Sequence, residues 1–329
     1  MPWSRCRLAL LGLVFLCTPI VPSHAQYPSK PVKVLVPYAP GGAADVVARI
    51  VGDQLRQSLG QAFVIENKPG AFGIIAMEEM ARARPDGHTL MIGNVTTNVI
   101  TPLLFAKKLS INPARDIVPV VRISELPAFV VATTRDFPPA TLEEFIAYAK
   151  QRPGKVRFSS TGVGSFPHFD MEIFARRAGL ELVHIPNKAG AAGMLNDLVS
   201  GDAQVAFLNV ATAAPLIRGG QLRTLAVVAP ERLAEHPDVP TLAELGYPGV
   251  GTLQWLAMFA PAATPTDVLS KLHGAVVQAL QAERTKEAFR VAIMRAIPTA
   301  SPDDAKTWLQ SETAAWSKTI AEIKLELTD

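Results

Sequence analysis

The chain has 329 residues, a length that predicts roughly two domains. Hydrophobic residues make up 49% and charged residues 19%, which excludes an intrinsically disordered chain. The formal net charge is +3, no basic run exceeds a pair, and aromatic residues make up only 7%. This pattern excludes the concentrated basic surface and the stacking platform that nucleic-acid-binding proteins need.

Residues 1–25 have the pattern of a cleaved export signal. Two arginines precede the apolar run Leu8–Cys17, and small residues stand just before Gln26, the predicted new N-terminus. A membrane anchor is the alternative, but the run is shorter than the roughly 20 residues that a membrane span needs. Both cysteines of the chain lie in this segment, so the processed chain is expected to have no disulfide and no thiolate metal site.

Strand and helix patterns alternate along the first part of the remaining chain. Val47, Val51 and Leu55 recur at helical spacing, and Gly60 ends the pattern. The predicted elements are a strand at 33–38, a helix at 43–59, a strand at 63–66, a helix at 74–83 and a strand at 89–95. This order predicts parallel strands joined by right-handed crossovers.

The same alternation resumes after residue 126. The predicted strands are 127–134, 155–161, 180–186, 203–210 and 222–229, and the predicted helices are 142–152, 169–178, 194–200 and 211–218. A proline-rich connector at 230–251 precedes a last strand at 254–260 and helices at 266–282 and 303–325.

Two lobes are predicted rather than one continuous sheet, which remains the alternative. Proline-containing connections at 117–127 and 230–251 place the first lobe at 26–125 plus 253–329 and the second at 126–252. Each lobe is expected to be a mostly parallel sheet flanked by helices. The C-terminal helices are expected to return to the first lobe, because the connector is long and the last predicted strand has no partners of its own. A cleft between two lobes is where a small ligand would bind.

The loop after the first predicted strand is rich in glycine. Gly41 and Gly42 would let several backbone N–H groups face an anion at a helix N-terminus, and Asp45 would cap the first turn or orient a bridging water. A plain turn with an aspartate cap is the alternative. Neither a Gly-Lys-Ser/Thr nor a G-x-G-x-x-G pattern is present here, so the loop does not predict nucleotide binding.

Other predicted strands also end in small hydroxyl, amide and glycine residues, at the sheet edge where ligands bind in open α/β sheets. The predicted ligand-binding residues are Tyr38, Ala39, Gly41, Gly42, Asp45, Asn94, Thr96, Thr97, Asn98, Thr161, Gly164, Ser165, His168, Asn187, Ala189 and Asn209.

Residues for catalysis or metal binding form no recognisable pattern. Ser165 lies in G-V-G-S-F rather than in the G-x-S-x-G turn of α/β-hydrolases, and His168 follows three residues later. A secreted serine hydrolase using this pair remains an alternative hypothesis. The histidines show no H-x-x-x-H or H-E-x-x-H spacing, so no zinc site is predicted. We predict no catalytic residue, no metal and no cofactor.

Seven stretches identify the chain as similar to a known family. They are VPYAPGGAAD (36–45), ENKPGAFG (66–73), RPDGHTL (84–90), STGVGSFPH (160–168), VHIPNKAG (183–190), GGQLRTLAVVAPER (219–232) and DVPTLAELGYPG (238–249). Across essentially the whole chain after Gln26, the sequence resembles the Bug receptors. These are extracytoplasmic solute-binding proteins associated with tripartite tricarboxylate transporters.

The resemblance implies a two-lobed periplasmic binding fold, of the Venus-flytrap, type II-like kind, that closes on an anionic ligand. It implies that loop 38–45 holds a carboxylate through backbone amides and ordered waters, and that residues 94–98, 161–168, 187–190 and 209 complete the pocket. The chain also departs from the family pattern. Asn187 stands where tyrosine is usual, Asn209 where aspartate is frequent, and Phe72 where a small glycine is usual. In addition, Ala189 precedes the glycine of that loop, and the stretch 109–112 reads LSIN instead of the commoner LPYD.

The expected function is capture of a small carboxylate (an organic, amino or aromatic acid) in the periplasm. Gly41 and Gly42 would hold the carboxylate, while Thr161, Ser165 and Asn187, together with Asn209, would contact the remainder of the ligand. The expected partner is the membrane part of a tripartite tricarboxylate-type transporter; a sensor ectodomain is the alternative. We expect a monomer that binds no nucleic acid.

Overall fold

The computed structural model describes residues 27–187 and 189–323, which form two β-sheets flanked by helices. This is the two-lobed α/β architecture that the sequence predicts. The predicted export signal at 1–25 lies outside the described residues. Within the described part of the chain, no helix is both long enough and apolar enough to cross a membrane.

The first sheet has six strands that come from both ends of the chain. They are Val32–Val36 (β1), Phe63–Asn67 (β2), Thr89–Asn94 (β3), Ile117–Leu126 (β4), Gln254–Pro261 (β10) and Arg295–Ala296 (β11), and their order is β11-β4-β10-β3-β1-β2. The second sheet has five strands from one continuous stretch. They are Ala128–Thr133 (β5), Val156–Ser160 (β6), Leu182–Pro186 (β7), Val205–Asn209 (β8) and Leu222–Val228 (β9), in the order β7-β6-β8-β5-β9.

Helices cover both faces of each sheet, and each sheet with its helices is called lobe 1 or lobe 2 below. The helices of lobe 1 are Ala43–Leu59 (α1), Ile74–Ala81 (α2), Thr101–Leu104 (α3), Pro113–Asp116 (α4), Thr266–Gln281 (α9), Glu283–Val291 (α10) and Pro302–Ile323 (α11). The helices of lobe 2 are Leu142–Lys150 (α5), Phe166–Ala178 (α6), Gly190–Ser200 (α7) and Val210–Arg218 (α8).

Both sheets are mixed, which corrects the prediction of mostly parallel sheets. β1 pairs in parallel with β2 and β3, and β6 pairs in parallel with β7 and β8, as the strand–helix–strand order requires. In contrast, β10 runs antiparallel to β3 and β4, and β5 runs antiparallel to β8 and β9. These two antiparallel strands follow the points where the chain passes from one sheet to the other.

The stretch 117–127, predicted as a connection, is mostly the strand β4, which corrects that prediction. Pro119 lacks the N–H that a central strand uses, but it lies beside a register shift in the pairing with β10. Proline is tolerated at such irregularities because the local ladder is already interrupted. The strand predicted to be the last, β10, has partners on both sides, and all eight of its residues are buried.

Apolar side chains join the C-terminal helices to lobe 1. Val47, Val51 and Leu55 of α1 share a buried cluster with Leu272 and Val276 of α9. This packing follows from the apolar stripe at helical spacing that both sequences carry.

The two lobes also meet through side chains. Phe166 and Phe169 at the start of α6 belong to a buried cluster made mainly of lobe 1 residues. The ring of Phe169 meets that of Trp316 in α11 edge to face, with centroids 5.6 Å apart. Lobe 2 therefore packs against lobe 1 beyond the two chain crossings.

Candidate ligand-binding site

The N-terminus of α1 follows the glycine-rich loop that leaves β1. Gly42 is the N-cap residue, with φ −75° and ψ 168°, and no side chain caps this end of the helix. The N–H groups of a first helical turn have no partner within the helix, and the helix dipole gives this end a partial positive charge. The end of α1 is therefore suited to an anion.

Asp45 organises the loop from inside. Its side chain accepts hydrogen bonds from the Gly41 N–H (2.9 Å), from Arg49 (Nε 3.0 Å and Nη2 2.8 Å) and from Asn67 Nδ2 (3.0 Å). Burial acts to raise the pKa of this carboxyl, but the hydrogen bonds from Arg49, Gly41 and Asn67 outweigh it and hold the pKa below its usual value.

Two sequence expectations change because of this arrangement. The amide of Gly41 was expected to hold the ligand, but in this structure it donates to Asp45. Asp45 is only 3% exposed, so it braces the loop rather than the first turn of the helix. Asn67, for which no role was predicted, also donates to the Tyr38 carbonyl at 3.1 Å. The sequence feature that could have identified Asn67 as a site residue is its position in the stretch 66–73, one of the stretches that carry the family resemblance.

Tyr38, Asn94 and Thr97 form a hydrogen-bonded group at the ends of β1 and β3. The Tyr38 hydroxyl lies 2.5 Å from both Asn94 Oδ1 and Thr97 Oγ1, and the Thr97 N–H donates to Asn94 Oδ1 at 3.2 Å. Burial raises the pKa of the Tyr38 phenol well above its usual value, so the hydroxyl keeps its proton. The structure thus brings together three predicted residues of lobe 1.

Asn98 and Asn209 share an unusual feature. The side-chain Oδ1 atom of each is buried and has no hydrogen-bond partner. Asn98 packs so close to Gly93 that a Cβ there would be 1.9 Å from this oxygen. Asn209 ends β8 and is the N-cap of α8. Buried polar atoms are nearly always hydrogen-bonded, so a missing partner calls for a polar ligand group or a water.

In lobe 2, Ser165 and His168 belong to a closed local network. Ser165 is 1% exposed, and its Oγ donates to the Gly162 carbonyl at 2.7 Å. The Gly164 N–H donates to His168 Nδ1 at 3.1 Å. The serine hydroxyl therefore faces a carbonyl oxygen and the histidine Nδ1 already accepts from the backbone, an arrangement that does not activate a nucleophile.

The imidazole of His168 stacks on that of His184, with centroids 3.9 Å apart and planes at 14°. Burial and the neighbouring His184 lower the pKa of His168 to about 3, and burial lowers the pKa of His184 to about 4. Both rings are consequently neutral at physiological pH. Each ring also makes a local hydrogen bond, His168 with the Gly164 N–H and His184 with the Ser160 hydroxyl.

Asn187 turns its side chain toward α7. Its Oδ1 accepts from the Ala189 N–H at 2.9 Å, and its Nδ2 donates to Asp197 Oδ2 at 2.9 Å. A Cβ at Gly193 would lie 1.9 Å from Asn187 Oδ1, so the glycine permits this close approach. Asn187 and Ala189 were both expected to contact the ligand. In this structure the Asn187 side chain and the Ala189 N–H are hydrogen-bonded to each other.

Of the remaining predicted residues, Thr96 lies at the boundary of the lobes. Thr96 Oγ1 accepts from the Phe166 N–H of α6 at 3.3 Å, which links the two lobes directly. Thr161 is half-buried after β6, and Ala39 is exposed before Gly41. Phe72, noted in the sequence only as a departure from the family, lies against the loop that carries Gly162 and was not predicted as a site residue.

A cavity of about 440 Å³ lies elsewhere, beside the segments where the chain crosses between the lobes. It is lined by residues of α10 and β11, by Glu125 and Pro127 at the crossing, and by the connector from Ala229 to Glu235. Among the described residues, no group of three or more histidine, cysteine, aspartate and glutamate side chains is arranged to hold a metal ion.

Comparison with known proteins gives one consistent result. A family model described as tripartite tricarboxylate transporter family receptor matches residues 47–325. Protein BugT of Bordetella pertussis (strain Tohama I) is 32% identical over 324 residues, which cover 97% of this chain and 98% of BugT.

Two solved structures from Rhodopseudomonas palustris carry ligands. Rpa4515 with adipate is 31% identical with a TM-score of 0.85, over 91% of this chain and 98% of that one. MatC with bound malate is 31% identical with a TM-score of 0.80, over 89% of this chain and 100% of that one.

Proposed function

Because the chain belongs to the tripartite tricarboxylate transporter receptor family, we propose that it captures a small carboxylate in the periplasm, between its two lobes. The uncapped N-terminus of α1 at Gly42 is the observation that carries the proposal. Its free N–H groups offer charge-assisted hydrogen bonds to a carboxylate, and no cation has to be buried with the ligand. The chain acts as a receptor and not as an enzyme.

The ligands of two relatives support the same ligand class. Adipate in Rpa4515 and malate in MatC are both small carboxylates. The unpartnered oxygens of Asn98 and Asn209 fit a ligand that also carries hydroxyl or amino donors. Rotating either amide by 180° would instead present its Nδ2 to a second carboxylate. Organic acids, amino acids and aromatic acids therefore remain the candidate classes.

Ligand binding is proposed to couple to lobe closure. The moving units are 26–125 plus 253–329, and 126–252. Closure buries the ligand and presents a joint surface of both lobes to the membrane subunits of a tripartite tricarboxylate-type transporter. The receptor is proposed to act as a monomer after export and cleavage before Gln26.

A thermal-shift screen tests the proposal. The purified, ligand-free protein is melted with mono-, di- and tricarboxylates, amino acids and aromatic acids, each paired with the methyl ester in which every carboxylate is esterified. A ligand at about 100 times its Kd adds about 2.7 kcal/mol to the free energy of unfolding, which raises the melting temperature by several degrees.

A shift with one carboxylate class, absent with its ester, supports the proposal. Folded, ligand-free protein that responds to no anion contradicts it.

A further inference from the structure

The loop between β2 and α2 has an unusual backbone. Four consecutive residues have positive φ: Gly70 (122°), Ala71 (46°), Phe72 (55°) and Gly73 (87°). An aromatic residue rarely adopts this conformation, and such residues persist only where the surrounding structure holds them. The backbone of Phe72 is held by Thr101, whose Oγ1 donates to the Phe72 carbonyl at 3.2 Å.

On the lobe 1 side, this loop touches the predicted site. A Cβ at Gly73 would lie 2.6 Å from Thr97 Oγ1, so the glycine backbone packs directly on Thr97. Thr97 is the hydrogen-bond partner of Tyr38. The ring of Phe72 stacks on that of Phe105, with centroids 5.0 Å apart and planes at 11°.

On the lobe 2 side, the same two rings meet a glycine loop. A Cβ at Gly162 would lie 3.0 Å from Phe72 Cε1, and a Cβ at Gly164 would lie 3.4 Å from Phe105 Cε2. The phenyl rings of lobe 1 thus rest on a bare backbone of lobe 2, next to Ser165. The Phe72 side chain stands between the two halves of the predicted site, and 37% of the residue is exposed.

We propose that Phe72 is a specificity-determining residue, which sets how far the lobes close and how long a ligand the closed cleft accepts. The inference rests on the proposed carboxylate-receptor function. A rigid ring against a glycine backbone fixes the separation of the lobes at that point, because close-packed atoms give way little. The ring also occupies volume that a longer ligand would need.

Two variants isolate the ring from the backbone. Phe72→Gly removes the ring, and the native φ suits glycine, so the loop keeps its conformation. Ala71→Gly is the matched control, because it relieves the neighbouring positive φ and leaves the ring in place. Both are compared with the original protein by titration calorimetry against α,ω-dicarboxylates from malonate to suberate and the corresponding monocarboxylates.

Removal of the ring is expected to move the preferred chain length upward by at least one methylene group. It is also expected to raise the Kd of the ligand that the original protein binds most tightly by at least fivefold. Ala71→Gly is expected to keep the original length profile. A Phe72→Gly profile with the original shape overturns the inference, whatever the absolute affinities.

A second readout needs no ligand. Spin labels at Gln57→Cys in α1 and Lys150→Cys in α5, both exposed positions, report the distance between the lobes. In the unliganded protein, Phe72→Gly is expected to broaden this distance distribution, because the ring no longer fixes the separation of the lobes, whereas Ala71→Gly leaves it unchanged.

If no carboxylate binds the original protein, the proposed function fails and the distance measurement alone decides the role of Phe72. An unchanged distribution then overturns it.

Discussion

Replacing Gly42 by alanine separates the ligand contact from the fold. Gly42 has φ −75° and ψ 168°, a conformation open to any residue, and an added Cβ would meet only the Ala39 carbonyl, at 3.7 Å. Alanine is a poorer N-cap than glycine by several tenths of a kcal/mol. The reduced freedom of the unfolded chain contributes roughly 0.4–1 kcal/mol in the other direction. The free energy of unfolding should therefore change by less than about 1 kcal/mol.

The effect of Gly42→Ala on binding should be much larger. The new methyl group stands at the helix end that a carboxylate must approach to reach the first-turn N–H groups. Loss of one hydrogen bond to a charged group costs about 1.5–3 kcal/mol, which corresponds to a roughly 10- to 150-fold rise in Kd. Titration calorimetry with the ligand from the thermal-shift screen measures this rise directly.

The matched control is Gly274→Ala, in the middle of α9. Nothing lies within 4 Å of a Cβ at Gly274, and this glycine is helical and distant in sequence from the ligand loops. This control should keep the original Kd and melt slightly higher, because alanine favours helix by up to about 1 kcal/mol over glycine. If the folded Gly42→Ala variant has a Kd within twofold of that of the original protein, the N-terminus of α1 does not bind the carboxylate.

Three further predictions concern stability. Asp45→Ala leaves Arg49 and Asn67 without their shared acceptor, so the free energy of unfolding in urea should fall by about 2–4 kcal/mol; a fall below 0.5 kcal/mol would contradict the bracing role. Burial raises the pKa of Asp170 to about 7 despite hydrogen bonds from Thr252, so the folded protein favours the neutral carboxyl. As the pH rises from about 4 to 7, this group therefore lowers the free energy of unfolding of the original protein. The free energy of unfolding of Asp170→Asn should therefore rise relative to that of the original protein across this pH range, by at most about 4 kcal/mol. A difference that does not change with pH would refute the raised pKa of Asp170. His168 stays neutral when folded, whereas the unfolded chain takes up its proton below about pH 6.5, so this residue makes stability fall on acidification from that pH toward about 3. His168→Asn, which keeps an acceptor for Gly164, should flatten the stability–pH slope between pH 6 and 4.5 by about 1.4 kcal/mol per pH unit; an unaltered slope would show that His168 titrates normally.

Local pattern in the sequence was sufficient for most elements. The buried stripe of α1 and the glycine that ends it are visible in 43–60, and the structure has that helix. α10 was missed because it is highly polar: only Thr285 and Phe289 are buried, so few apolar residues mark its buried face. β4 was missed because Pro119 interrupts its pattern, and only pairing with a distant strand permits a proline there.

The positions of the loops of the candidate site could also be predicted from the sequence, but most of their hydrogen bonds could not. Glycine, hydroxyl and amide residues do follow β1, β3, β6, β7 and β8. Which donor meets which acceptor depends on neighbours far along the chain. Asn67 reaches Asp45 across 22 positions, and Asn187 reaches Asp197 across 10. The Gly41 N–H is the exception, because its acceptor Asp45 is only four positions away in the chain.

The position of β10 has a consequence for the order in which the molecule can fold. Lobe 2 takes all five of its strands from the stretch 128–228, so its sheet can form as soon as that stretch is available. Lobe 1 cannot complete its sheet in the same way, because β10 lies between β3 and β4 and arrives only after lobe 2. Until then, β3 exposes one unpaired edge and β4 exposes two, which invites aggregation. A chain delivered from its N-terminus therefore has to protect these edges until β10, and then β11, has emerged.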